Sequence, residues 1–314
     1  MKELVINGIR IRPGQSVNIE IAIAKLPSHT LIDLPIFIKS SKKEGPVVLI
    51  SGGIHGDEIN GVVTAKRIME ELDEGLSLLK GTLIFIPLVN IYGFLSNSRT
   101  FPDGRDLNRS FPGSKKGSLA ASIAFILSNE IIPQIDYGID FHTGGRMLTN
   151  YPQIRVDYKD KEAVEMAKAF GTHFVLNSKC IEKSFRKEAY KAKKHIIVYE
   201  GGESMRIDDY AIEEGVNGSK RLLASLGMIK DSPEPQHTVF LKESSWLRAR
   251  ASGIFNSSVK IGESIKKGQI LARISDPYGQ IKIPVKATSN GYVIGMNNLP
   301  VINAGDAIFH IGKE

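Results

Sequence analysis

One cysteine, Cys180, occurs in 314 residues, so no internal disulfide can form, and the chain fits a reducing compartment. Long apolar runs are also missing. No stretch approaches the ~20 apolar residues that a bilayer crossing needs. The opening "MKELVINGIRIRPGQ" has no uninterrupted apolar segment of the kind a secretory signal carries. A cytoplasmic protein without a membrane partner is expected. Blocks of a single charge are absent too. The net charge is +7, yet Lys and Arg are scattered in short groups such as "SKK" at 41–43, "SKKG" at 114–117 and "KAKKH" at 191–195. Aromatic residues make up only 7% and do not interleave with basic clusters, which argues against a strand-binding groove for nucleic acid. The positive excess reads as a solvated surface that helps draw in an anionic substrate.

What is present describes an ordinary globular protein, with 42% hydrophobic and 24% charged residues. The length suits one large domain and a smaller one. Residues 1–40 read as strands: "ELVINGIRI", "SVNIEIAIAKL" and "LPIFIKS", punctuated by Gly and Pro. From Pro46 strands and helices alternate. Strands are expected at 47–51, 81–90, 136–141, 172–177 and 195–200, and helices at 58–73, 117–132, 160–170 and 208–226. That alternation predicts an α/β fold, with a mixed, mostly parallel sheet covered by helices on both faces.

Beyond the Pro-bearing stretch "DSPEPQHT" the helical period disappears. Short apolar runs separated by Gly, Asn, Asp and Pro predict a small all-β barrel or sandwich over 238–314, after an α/β domain over 1–230. This C-terminal segment is similar to the biotinyl/lipoyl-type β fold. Its "NGYVIG" turn has no lysine to modify, so no carrier role is inferred.

The candidate chemistry begins at "SGGIHGDEING", residues 51–61, between the strand "VVLIS" and a helical pattern. His55 and Glu58 fall in this turn. His142 follows the strand "YGIDF", and Glu200 ends the strand "HIIVYE". In a parallel sheet the C-terminal strand ends share one edge, which would bring two His and two Glu together. Two imidazoles and one carboxylate with a free fourth position describe a catalytic zinc site, and a second carboxylate nearby can act as base. Singly, each feature is ordinary; the shared placement is what points to a site. The glycines would let backbone approach the metal or substrate closely and take positive φ. His29, His173, His195, His237 and His310 have no such placement and read as structural or surface residues.

The segment "SNSRTFPDGRDLNRSFPG", 96–113, is a polar loop with Arg99, Arg105 and Arg109. These arginines could pair with Asp103 and Asp106, or their guanidinium forks could bind a substrate carboxylate.

"GGIHGDE", "DLNRSFPG", "DFHTGG" and "YEGG", in this order, resemble the succinylglutamate desuccinylase/aspartoacylase family, amidohydrolases related to the zinc carboxypeptidases. The resemblance runs over roughly residues 20–314. It implies one Zn2+ per chain on His55, Glu58 and His142, with Glu200 activating the metal-bound water. It also implies that Asn108 and Arg109 hold the substrate carboxylate and that an upstream arginine polarises the scissile carbonyl. Arg99 matches that position better, and Arg105 competes for it. The implied activity is hydrolysis of a small, anionic N-acyl amino acid. A zinc carboxypeptidase acting on short peptides and a non-catalytic carboxylate-binding protein are the alternatives. A homo-oligomer is compatible with the sequence.

Overall fold

The computed structural model describes residues 4–25 and 28–314. Glu3 and Leu26, the outer ends of two expected strands, lie outside the described residues.

At the centre of the sheet, strands Thr82–Ile86, Val47–Ser51, Tyr137–Gly144 and His195–Glu203 lie side by side and parallel. Antiparallel strands flank them. Leu31–Ser40 and then Ser16–Lys25 extend one edge, and Leu148–Val156 continues the other. The α/β architecture with a mixed sheet is the one expected.

The run "VVLIS" is apolar throughout because both of its faces are buried. Val47 and Leu49 enter one core cluster, beneath helix Leu119–Ile126 with its Ile123 and Ala124. Val48 and Ile50 enter the other, packed against Ala65 and Ile68 of helix Ile59–Asp73, Phe170 of Lys161–Phe170 and Leu222 of Asp209–Ser225. Each such buried aliphatic side chain contributes about 1.5–3 kcal/mol. The four expected helices therefore form within a residue or two of their predicted starts. The second, Leu119–Ile126, continues into a wider turn, Leu127–Ile131. No described helix is long and apolar enough to cross a membrane.

Two departures from expectation have physical causes. The strand expected at 81–90 stops at Ile86, because Pro87 carries no N–H for the ladder, and the chain turns toward the short helix Ile91–Leu95. The strand Leu148–Val156 was not anticipated. Its Pro152 argues against an interior strand. In the fold, Pro152 falls where the register with the neighbouring strand shifts, between Glu200 and Gly202, so the missing donor meets an irregularity.

The segment beyond Val239 is all-β, as expected. It has its own buried cluster, including Phe255, Leu271, Ile302 and Phe309. Strands Gly253–Ser257, Ile270–Ser275, Lys282–Lys286 and Val301–Ile302 make a separate sheet. Strands Gly291–Asn297, Ala307–Lys313 and Glu243–Arg248 instead continue the large sheet, because Gly295 pairs with Asn150 and Met296 with Thr149. The C-terminal strands therefore run up against the strand that flanks Glu200.

Candidate active site

After Ser51 the chain leaves the sheet through Gly52 and Gly53, and Gly53 takes a φ of +60°. His55 and Glu58 then close a turn in which the Glu58 N–H donates to the His55 carbonyl at 3.2 Å. Glu58 is the residue before helix Ile59–Asp73, yet its carboxylate makes no cap bond to the helix. It turns inward instead.

The positive φ expected of these glycines holds at Gly53, whereas the close approach at Gly52 and Gly56 is to main chain and not to a ligand. A Cβ on Gly56 would lie 2.0 Å from the backbone carbon of Gly93, and one on Gly52 would meet the backbone of Gly61 at 2.8 Å. They admit neighbouring main chain, which packs the turn and aims His55 and Glu58.

The parallel sheet does bring the distant residues together. Glu200 and His142 are register partners on adjacent strands. His55, Glu58 and His142 are all buried, and each offers a ligand atom within 4.8 Å of the others; among the described residues this is the group able to hold a metal ion. The Nδ1 atoms of His55 and His142 are 3.2 Å apart. Glu58 places Oε1 2.7 Å from the first and Oε2 2.8 Å from the second.

On the far side of each ring a carboxylate faces Nε2: Asp106 at 3.2 Å from His55 and Asp140 at 2.9 Å from His142. Asp140 is fixed in turn by the Ser51 hydroxyl at 2.9 Å. A carboxylate on Nε2 assigns the ring proton there and leaves Nδ1 as a lone pair, the arrangement that orients metal-ligating histidines. Two such lone pairs and the Glu58 carboxylate then converge, and the donors that reach this group, Arg99 Nη1 and the Thr143 N–H, serve the carboxylate. A divalent cation satisfies all three at once, so the donor set fits a zinc ion.

Protons are the other way to balance these acceptors. Burial opposes every charge here, but His55 and His142 outweigh it and hold Glu58 well below the usual carboxylate range. Burial likewise presses the histidines toward neutrality. Asp140 and Glu58 nevertheless hold His142 well above its ordinary value, and Glu58 with Asp106 raises His55.

Glu200 sits at the same rim. Its Oε1 pairs with Arg155 Nη1 at 3.0 Å, and its Oε2 accepts from Asn150 Nδ2 at 2.8 Å. Arg99 donates from Nη1 to Glu58 at 3.1 Å and from Nε and Nη2 to Asp106 at 3.2 and 3.1 Å. Asn108 and Arg109 lie on the turn Leu107–Arg109, capped by Asp106, whose Oδ1 accepts from the Asn108 N–H. Asn108 Oδ1 accepts from the Phe185 N–H, tying this turn to helix Phe185–Lys191.

His55, Glu58, His142, Glu200, Arg99, Asn108 and Arg109 all line one cavity of about 230 Å³. Arg105 does not. It is exposed and paired with Asp103 at 3.5 Å, so the loop-stabilising role is the one that applies to it.

The other histidines lie elsewhere. His29 and His237 are exposed, His173 faces the His237 carbonyl, and His195 pairs with Asp160. His310 stacks on Trp246.

Residues that sequence reasoning missed also line the cavity: Asp140, Arg155, Asn150 and Trp246. Asp140 was findable, since residues two apart on a strand share a face and "DFH" places it beside His142. Arg155 and Asn150 were not, because their strand went unread.

A sequence model described as the succinylglutamate desuccinylase/aspartoacylase catalytic domain matches residues 44–226, more than half of the chain. An N-alpha-acetyl-L-2,4-diaminobutyric acid deacetylase from Halomonas elongata is 28% identical over 287 residues, spanning 86% of this chain and 83% of that one. The product-bound ectoine utilization protein EutE (DoeB) from Ruegeria pomeroyi superposes with a TM-score of 0.83 at 24% identity, over 96% of each chain. A succinylglutamate desuccinylase/aspartoacylase from Rhodobacter sphaeroides reaches a TM-score of 0.84 at 23% identity, over 96% of this chain and 97% of that one. At these identities the two structures show a shared fold.

Proposed function

This chain belongs to the succinylglutamate desuccinylase/aspartoacylase family, and from that premise we propose that it is a zinc-dependent deacylase of a small N-acyl amino acid. The observation that carries the reading is the convergence of His55, Glu58 and His142 within 4.8 Å, with Glu200 in register beside His142. The Halomonas relative, by its name, removes an acetyl group from an amino acid, which supports an N-acyl substrate here. The single cysteine supports a reducing, cytoplasmic setting.

In this reading His55, Glu58 and His142 hold one Zn2+ per chain. A bound zinc ion supplies Lewis-acid chemistry, polarising a carbonyl and acidifying water. Glu200 takes the proton from the attacking water and returns it to the leaving amine. Arg99, at the cavity wall, donates to the oxygen on which negative charge develops, the kind of stabilisation that contributes most to acyl transfer. Arg109 offers a planar fork to the substrate carboxylate, and Asn108 sits beside it on the same turn. Their grip turns the amide carbonyl toward the histidines, supplying the orientation that makes attack effectively intramolecular.

The test is release of acetate or succinate from a panel of N-acyl amino acids, with a panel of dipeptides run beside it, each with and without chelator. Chelator-sensitive release from an N-acyl amino acid is the expected result. Cleavage of the dipeptides alone would favour the carboxypeptidase reading. No cleavage of either, at full metal loading, would favour a binding protein.

A further inference from the structure

We infer that Arg155 is a positioning residue that sets the orientation of Glu200, acting with Asn150 as a two-point clamp from the neighbouring strand; this rests on the reading of Glu200 as the proton carrier. A carboxylate at the end of a strand is free to rotate about two side-chain bonds, and a proton carrier has to present one lone pair to the water at a fixed angle. The strand Leu148–Val156 solves this from the side. It runs antiparallel to His195–Glu203, with Arg155 opposite Val198 and Asn150 opposite Gly202. The two side chains therefore reach Glu200 from opposite directions along the strand. Arg155 Nη1 takes Oε1 at 3.0 Å and Asn150 Nδ2 takes Oε2 at 2.8 Å. Each oxygen has two lone-pair directions, so the clamp uses one on each and leaves one on each for a transferable proton.

The clamp is itself anchored. The Arg155 carbonyl accepts from Arg186 Nη1 at 2.7 Å, and Arg186 also binds the carbonyls of Ser178 and Lys179, so the main chain beneath Arg155 is pinned. Asn150 is backed by the C-terminal strand: a Cβ on Gly295 would lie 2.8 Å from Asn150 Oδ1. Arg155 Nε, by contrast, is buried and has no partner among the described residues. An arginine kept only for stability would be expected to use that donor, because a buried unsatisfied N–H costs free energy. Here the guanidinium gives up one bond and keeps the end that touches Glu200.

The experiment is steady-state kinetics of the zinc-loaded enzyme on the N-acyl amino acid that the panel shows to be cleaved fastest. Arg155→Ala, Arg155→Lys, Glu200→Gln and the Arg155→Ala/Glu200→Gln double variant are compared, each with its metal content. A positioning role predicts that Arg155→Ala lowers kcat by about 100-fold, the scale of an ångström-sized misplacement, with little change in KM. Arg155→Lys recovers part of the loss, and so does added guanidinium ion. In the Glu200→Gln background, Arg155→Ala causes no further loss, because its effect passes through the missing carboxylate. Should Arg155→Ala fail to fold, the same comparison with Arg155→Lys decides the matter.

A rise in KM at unchanged kcat would make Arg155 a substrate ligand and overturn the inference. So would multiplicative losses in the double variant. Full activity in Glu200→Gln would instead remove the premise, a result read from that single variant alone.

Discussion

His142 and His310 are both buried histidines on strands of the same large sheet, and their surroundings drive them in opposite directions. Burial works against charge on both. Around His142, Asp140 and Glu58 overcome it and hold the ring well above its ordinary value. Around His310 no carboxylate among the described residues answers. Burial, with Arg155 nearby, pushes it down to about 3, and the neutral ring stacks 4.6 Å from Trp246. The same side chain thus sits among carboxylates, in a group that could hold a metal ion, in one place and packs against an indole in the other. Position on a strand did not decide this; the charges facing the ring did.

Changes around His142 should strike metal binding and turnover, whereas replacing the His310 ring itself by one of similar shape should strike stability and leave metal binding intact. The largest effect is expected for His142→Ala, which loses both the ion and measurable hydrolysis, as elemental analysis and the acyl-release assay would show. Retention of the ion would erase the distinction between the two rings. An intermediate effect is expected for Asp140→Asn, which keeps the ligands but weakens the orientation of His142. Metal affinity or rate should fall about 10–100-fold, the usual cost of losing a ligand's hydrogen-bond partner. Competition with a chelating dye measures it.

The smallest effect is expected for His310→Phe, which keeps a flat ring on Trp246 and removes the titration. The unfolded chain takes up a proton on this histidine near pH 6.5, whereas the folded chain does not until about pH 3. Stability is therefore lost progressively as pH falls from ~6.5 toward 3. His310→Phe should flatten that part of the acid unfolding curve without altering the bound ion. An unchanged curve would show that His310 does not contribute to acid lability.

The sequence exposed the parts of this comparison that depend on pattern. Strand Val47–Ser51 and the strand ends carrying His142 and Glu200 were legible because buried parallel strands read as continuous apolar runs, and Gly-rich turns follow them. His310, which reads as structural or surface, is buried and stacked on Trp246. The clamp on Glu200 was hidden because Pro152 disguised its strand, and only pairing across the sheet shows that the proline sits at a register shift. Of the two reasons expected for the glycines of "GGIHGDE", positive φ holds at Gly53, while Gly52 and Gly56 make room for main chain and not for a ligand. Which arginine reaches the cavity was equally beyond spacing alone, since Arg99 and Arg105 share one loop and only Arg105 turns out to Asp103.

The most direct measurement is the number of zinc ions per chain in the purified, zinc-dialysed protein, taken beside Glu58→Ala. One ion per chain, nearly absent from the variant, is the result predicted for a cation held between the two imidazoles. Equal occupancy in both proteins would place any bound zinc elsewhere and contradict it.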